Sequence, residues 1–223
     1  MNTRQRYFQP GYVYHVLNRA ALRQTLFPTA ATYDDFEDLI YESLALFPIP
    51  ILTYALMPNH WHFVVRPNTK EELSGFFHYL AGTHGKRFRK ETSTHGEGHV
   101  YQDRFKSFPV ESDGHFLCVC RYVERNAMRA NLVERAEQWR WCGLWHRLHC
   151  PDEQLLSEWP VSRPSDWVEH VNQPLTQKEL VAVRNSIRRG APLGNPDWVE
   201  QVARQHGLEH SLRPLGRPKT VAV

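Results

Sequence analysis

Residues 51–67, ILTYALMPNHWHFVVRP, limit the fold more than any other stretch of the chain. Two β-rich runs flank Pro58-Asn59, both turn formers, so the segment reads as a β-hairpin with His60 opening its second strand. Upstream, Gly11 to Arg19 (GYVYHVLNR) alternates well enough for a strand, with Val13, His15 and Leu17 on one face. Between strand and hairpin, Thr32 is the expected N-cap of an amphipathic helix. Its stripe is Phe36, Leu39, Ile40, Leu44 and Phe47, and it stops before Pro48 and Pro50.

Downstream, Thr69 to Glu72 has the form of a capping box, and Leu73, Phe76, Phe77, Leu80 and Ala81 make the stripe of a second helix. That helix runs into a basic patch, Lys86, Arg87, Arg89 and Lys90, followed by a loop over residues 93–98. HVYQDRFKSFPVE then reads as a strand broken by a turn, and Ser112 is placed to cap a third helix with the stripe Phe116, Leu117, Cys120 and Val123. The order strand, helix, hairpin, helix, strand, helix describes a small antiparallel sheet covered by helices, the α+β class.

Composition shifts after Trp145. Pro151, Pro160, Pro164 and Pro174 with few aliphatics mark a linker or an irregular wrap over 151–175. From 176 to the end, eight Lys or Arg stand against four acids. Two short helices are expected there: one capped at Thr176 with Leu180, Val183 and Ile187 behind it, the other starting at Asn195-Pro196 and ended by Gly207. This basic extension reads either as a helix-turn-helix-like appendage, with Arg213, Arg217 and Lys219 able to enter a minor groove, or as a disordered cationic tail. The expected division is therefore a 1–150 domain, a 151–175 linker or wrap, and a 176–223 extension.

The 41% hydrophobic content supports a real core, and no apolar stretch approaches the ~20 residues of a spanning helix. The first residues lack a signal-peptide core, so a cytoplasmic location with no membrane partner is expected. Cys118, Cys120, Cys142 and Cys150 show no C-x-x-C spacing and are expected to pack as free thiols. The net charge of +3 is concentrated in the extension and in the Lys86–Lys90 run, with Arg104 and Lys106 beyond the loop. Basic side chains interleaved with aromatics suit a phosphate backbone, although such a run also serves as a solvated helix face.

His60 and His62 share one face of a strand, with Trp61 on the other. The pair reads either as polar residues on a wet face or as half of a chelate. Tyr122 and Asn126 stand four apart on the third helix, which places a phenol beside an amide. A carboxamide oxygen can complete a site begun by two imidazoles, and that mixed donor set suits Mg²⁺ or Mn²⁺.

Four ordered blocks, YHVLNRA, MPNHWHFVV, VYQDRFKSFPVE and RYVERNAMRANLVERAEQWRWCGLW, resemble those of the single-tyrosine HUH transposases, most of all the REP-associated tyrosine transposases. The resemblance spans about residues 11 to 147. It implies a ferredoxin-like HUH fold, a divalent ion on His60 and His62, Tyr122 as nucleophile and Asn126 as a further ligand. One departure is Ala127, where the family commonly has proline. The implied reaction is cleavage and rejoining of single-stranded DNA near hairpins through a 5′-phosphotyrosine, with Arg125 and Arg129 on adjacent phosphates. The implied partner is single-stranded or hairpin DNA, which would draw a cytoplasmic protein to the nucleoid, and both monomers and dimers occur among such proteins. Two other readings stay open: a metal-dependent phosphodiester hydrolase using water, and a hairpin-binding protein without strand transfer.

Overall fold

The computed structural model describes residues 8–94, 98–111 and 114–213. The expected roles of Ser112, Arg217 and Lys219 therefore lie outside the described residues. Four strands, β1 (Val13–Arg19), β2 (Ile51–Met57), β3 (His60–Val65) and β4 (Lys106–Val110), form one antiparallel sheet in the order β2-β3-β1-β4. Only Pro58 and Asn59 separate β2 from β3, so the hairpin closes as expected and β3 occupies the interior beside β1.

The faces are covered differently. Tyr14, Val16, Tyr54, Leu56, Trp61 and Phe63 meet α1 (Ala30–Leu46) and α2 (Lys70–Glu91) through Phe36, Leu39, Ile40, Phe76, Phe77 and Leu80. Val13, Leu17, Leu52, Ala55, Val64 and Phe108 meet α3 (Gly114–Glu124) through Phe116, Val119, Cys120 and Val123. A short α4 (Asn126–Arg129) follows α3, and α5 (Gly143–His149) lies against β2.

The α1 cap differs from expectation. The cap is Thr29, three residues earlier, and the Thr32 hydroxyl sits in the first turn, where it accepts from the Thr29 N–H at 3.3 Å. Ala30 and Ala31 are strong helix formers, so the helix extends back to the earlier threonine. At α2, Thr69 accepts from the Glu72 N–H, but the Glu72 carboxylate reaches the Asn68 N–H, one residue outside the expected box.

Chain beyond residue 150 adds to the second face. α6 (Trp167–Asn172) contributes Trp167 and Val171, and α7 (Gln177–Arg189) contributes Val183. Leu193, just past α7, lies beside the outer edge of β4. The Leu193 N–H donates to Pro109 O and Leu193 O accepts from Glu111 N, both at 2.9 Å. At the opposite edge, Leu56 N–H donates to Trp141 O. Both edges thus carry backbone partners, which removes sites for unwanted pairing. α8 (Pro196–His206) and α9 (Glu209–Leu212) complete the described chain, with Asn195 and Gly207 as the expected caps of α8. All four cysteines are free. No helix of the described residues is long and apolar enough to cross a membrane.

Candidate active site

Antiparallel register places Arg19 opposite His60 and Leu17 opposite His62, so His15, Leu17, Arg19, His60 and His62 share the sheet face that meets α3. The imidazole rings of His60 and His62 lie 5.0 Å apart between centroids. The last turns of α3 bring Tyr122 over this face, its ring 6.0 Å from His62 and 6.3 Å from His15. Leu17, Arg19, His60, His62 and Tyr122 line a cavity of about 160 Å³ with Gln102, Asp103, Arg104, Lys106, Arg129 and, from α7, Ile187, while His15 sits behind His62. Arg19, Arg104, Lys106 and Arg129 face a single carboxylate there, Asp103, so the cavity favours an anion.

Both histidines are neutral at pH 7. Burial, then the charges of Arg19 and Arg129, pushes His60 down to about 3. Burial, then the neighbouring His60 and His15, holds His62 well below its ordinary value. His60 Nδ1 lies 2.7 Å from Asn59 Oδ1, an acceptor, so the ring proton sits on Nδ1 and Nε2 keeps its lone pair. His62 Nδ1 lies 2.8 Å from His15 Nε2. When His62 is the donor in that bond, its Nε2 is likewise free to ligate.

Asn126 is fully buried at the start of α4, and Arg129, three residues on in the same helical turn, reaches back to it. Arg129 Nη2 donates to Asn126 Oδ1 at 2.6 Å, while the guanidinium stands 5.4 Å from the Tyr122 ring centroid. Asn126 therefore sits beside the cavity with its oxygen already taken by a cation, and its Nδ2 has no partner.

The remaining expected residues scatter. Lys86 and Arg89 line a groove of about 610 Å³ that shares Gln102, Asp103 and Arg104 with the cavity. Arg87 turns away to pair with Glu42 at 2.8 Å, and Lys90 is exposed outside both recesses. Arg125 reaches Asn172 O at 3.4 Å and does not line the cavity. Arg213 is exposed at the end of the described chain. Sequence reasoning missed Arg19 and Asp103 altogether. It placed His15 on the correct face without giving it a role, and the alternation of YHVLNR carries the signal for both His15 and Arg19.

The sequence profile of the IS200-like transposases matches residues 9–126, a span that includes His60, His62, Tyr122 and Asn126. The chain belongs to that family. Among solved structures, a REP-associated tyrosine transposase bound to a REP hairpin aligns over 79% of this chain and 100% of its own, at 15% identity and a TM-score of 0.54. At that identity the likeness establishes the shared HUH fold. A transposase candidate from Deinococcus radiodurans R1 aligns over 55% of this chain and 96% of its own, at 14% identity and a TM-score of 0.39. No curated protein matches the sequence.

Proposed function

We propose that this transposase cleaves and rejoins single-stranded DNA beside hairpins, with Tyr122 as nucleophile and a divalent ion, Mg²⁺ or Mn²⁺, on His60 and His62. The observation that carries the reading is the tyrosine packed beside the neutral, buried His62 and lining one cationic cavity with it and with the neutral, half-buried His60. The donor set fits an ion, because His60 has its Nδ1 engaged by Asn59 and an Nε2 to offer, and His62 offers its own Nε2 in the tautomer that donates to His15. Asn126 Oδ1 already accepts from Arg129, which leaves one lone pair for an ion and sets a guanidinium beside it. A divalent ion there supplies charge to bind a phosphate oxygen and offset the charge that develops during attack.

The chain's own residues do the rest. The Tyr122 oxygen forms a bond to phosphorus as the bond to the departing 3′-oxygen breaks, and that oxygen leaves as a 3′-hydroxyl. The 5′-phosphotyrosine conserves the phosphodiester, so the 3′-hydroxyl of a second strand can reverse the step and join without another energy source. Arg129, stacked on the phenol, orients the ring and offers donors to the scissile phosphate, while Arg104 and Lys106 hold its neighbours. Flanking strand follows the adjoining groove past Lys86 and Arg89.

Incubation of an end-labelled hairpin carrying single-stranded flanks, followed by denaturing electrophoresis, tests the reading. A covalent adduct is expected with Mg²⁺ and should disappear in Tyr122→Phe, with cleavage down at least about a thousandfold and binding retained. Free cleavage products without an adduct would assign the site to water-based hydrolysis. Binding without any cleavage would leave a hairpin-binding module.

A further inference from the structure

A second recess, about 280 Å³, lies between α1 and α5 and shares no residue with the Tyr122 cavity. His146 and Cys150 stand one helical turn apart at the end of α5, and Glu153 follows in the next turn, where its N–H donates to Cys150 O at 3.1 Å. Each offers one ligand atom, an imidazole nitrogen, a thiol sulfur and a carboxylate oxygen, and the three atoms lie within 4.8 Å of one another.

His146 is 6% exposed, and its Nε2 is shielded from water with no hydrogen-bond partner. A buried polar nitrogen left so costs about 1–3 kcal/mol unless a ligand completes it. Nε2 lies 3.6 Å from Glu153 Oε2, beyond hydrogen-bond reach. A tetrahedral ion with bonds of ~2.0–2.1 Å holds its nitrogen and oxygen ligands roughly 3.4 Å apart, so this pair is nearly set for one. The Tyr41 hydroxyl donates to the same carboxylate oxygen at 2.5 Å, the kind of outer hydrogen bond that fixes a ligating carboxylate. Asp34, Glu37 and Asp38 line the recess with Arg140 as their cation, so its charge favours a dication.

We propose that His146, Cys150 and Glu153 form a second metal site, for a thiophilic divalent ion of the Zn²⁺ class, with water in the fourth position. The sulfur donor separates it from the His60–His62 site, which offers only nitrogen and oxygen and suits harder ions. Because sulfur ligates as a thiolate, binding releases one proton from Cys150 and tightens as pH rises. Bound metal ties the end of α5 to the turn through Glu153.

Full-length protein is titrated with Co²⁺, a coloured stand-in for Zn²⁺, and with Zn²⁺ alone by calorimetry. One Co²⁺ should bind with a thiolate-to-cobalt charge-transfer band that persists in the His60→Ala/His62→Ala double variant and vanishes in Cys150→Ser. Zn²⁺ affinity should fall at least ~100-fold in Cys150→Ser and in His146→Ala, since loss of an outer partner alone costs 10–100-fold. Cys150→His, which restores a ligand without sulfur, should recover Zn²⁺ binding but not the band, showing that the variant folds. Absence of the band from the unmodified protein, its persistence in Cys150→Ser, or unchanged Zn²⁺ affinity in both single variants would overturn the site.

Discussion

The two faces of the sheet bury histidine in opposite ways. Towards α1 and α2, His84 packs against Phe27 and Phe36, and its Nδ1 lies 2.8 Å from the Tyr101 hydroxyl, which accepts from Trp61 Nε1 at 3.0 Å. That network is closed on protein groups. Towards α3, His15 Nδ1, Asn126 Nδ2, Arg121 Nε and Arg125 Nε are all shielded without a partner. Similar burial therefore has two outcomes: the His84 network is satisfied by protein groups and serves packing, whereas His15 Nδ1 and Asn126 Nδ2 are left without a partner among the described residues. Unsatisfied groups cost about 1–3 kcal/mol each, so the orphaned His15 Nδ1 and Asn126 Nδ2 are places where the fold gives up stability.

The sharpest way to break this contrast is truncation after Gln173. It removes Val183 and Leu193 from the α3 face and uncovers the outer edge of β4. Two fully buried branched side chains at about 1.5–3 kcal/mol each predict a loss of roughly 3–6 kcal/mol. Hydrogen exchange should show β4 losing more protection than β2. An unchanged urea midpoint would mean instead that 176–223 folds and acts as a separate module.

Next in size is Phe63→Ala on the closed face, expected to cost about 3–5 kcal/mol in urea unfolding. His60→Ala, at the rim of the open face, should shift stability by less than about 1 kcal/mol yet abolish metal-dependent cleavage. Equal destabilisation by the two would erase the distinction.

Acid tests the closed face. Burial, then Arg87, holds His84 down to about 4 in the folded chain, against an ordinary value near 6.5. Between those values the unfolded chain binds more protons, so stability is full above pH 6.5 and falls as pH drops towards 4, by up to about 1.4 kcal/mol per unit. His84→Gln keeps an acceptor for Tyr101 and cannot titrate, so its stability profile should be flatter by that slope. An unaltered slope would show that His84 is already protonated in the fold.

The open face is probed through His15. Replacing it with Phe removes the acceptor that holds His62 Nδ1–H and should weaken Mn²⁺ binding 10–100-fold, about 1.4–2.7 kcal/mol, with little change in fold. Calorimetry giving wild-type Mn²⁺ affinity would remove His15 from the site.

Much of this was legible because it is local. The two-residue turn at Pro58-Asn59, the caps at Thr69, Thr176 and Asn195, and the shared face of His60 and His62 follow from neighbours in sequence. What escaped depends on register and packing. The bond between His15 and His62 joins strands 47 residues apart, and Ile187 reaches the cavity from α7. Asn126 was readable as a neighbour of Tyr122, and Arg129 three residues on was a local contact too, but which of its own polar neighbours the guanidinium would take was not. Helical geometry also divides a basic run that reads as uniform along the chain, since consecutive residues turn about 100° apart.

That division sets the smallest prediction. Arg87 and Glu42 pair at 2.8 Å with side chains 43% and 42% exposed, an arrangement worth at most about 1 kcal/mol, so Arg87→Ala should barely move the unfolding midpoint. Its guanidinium faces α1, whereas Lys86 and Arg89 line the groove continuous with the Tyr122 cavity. Affinity for single-stranded DNA measured against salt should therefore keep its slope in Arg87→Ala and lose ~0.7 for each phosphate contact removed in Lys86→Ala and Arg89→Ala. Arg89 also donates to Gly98 O, so its variant should loosen the end of the loop as well, and Lys86 is the cleaner probe. If Arg87→Ala lowers the slope as much as Lys86→Ala, the Glu42 pair opens when DNA binds, and the α1 side of α2 belongs to the nucleic-acid surface despite facing the closed half of the molecule.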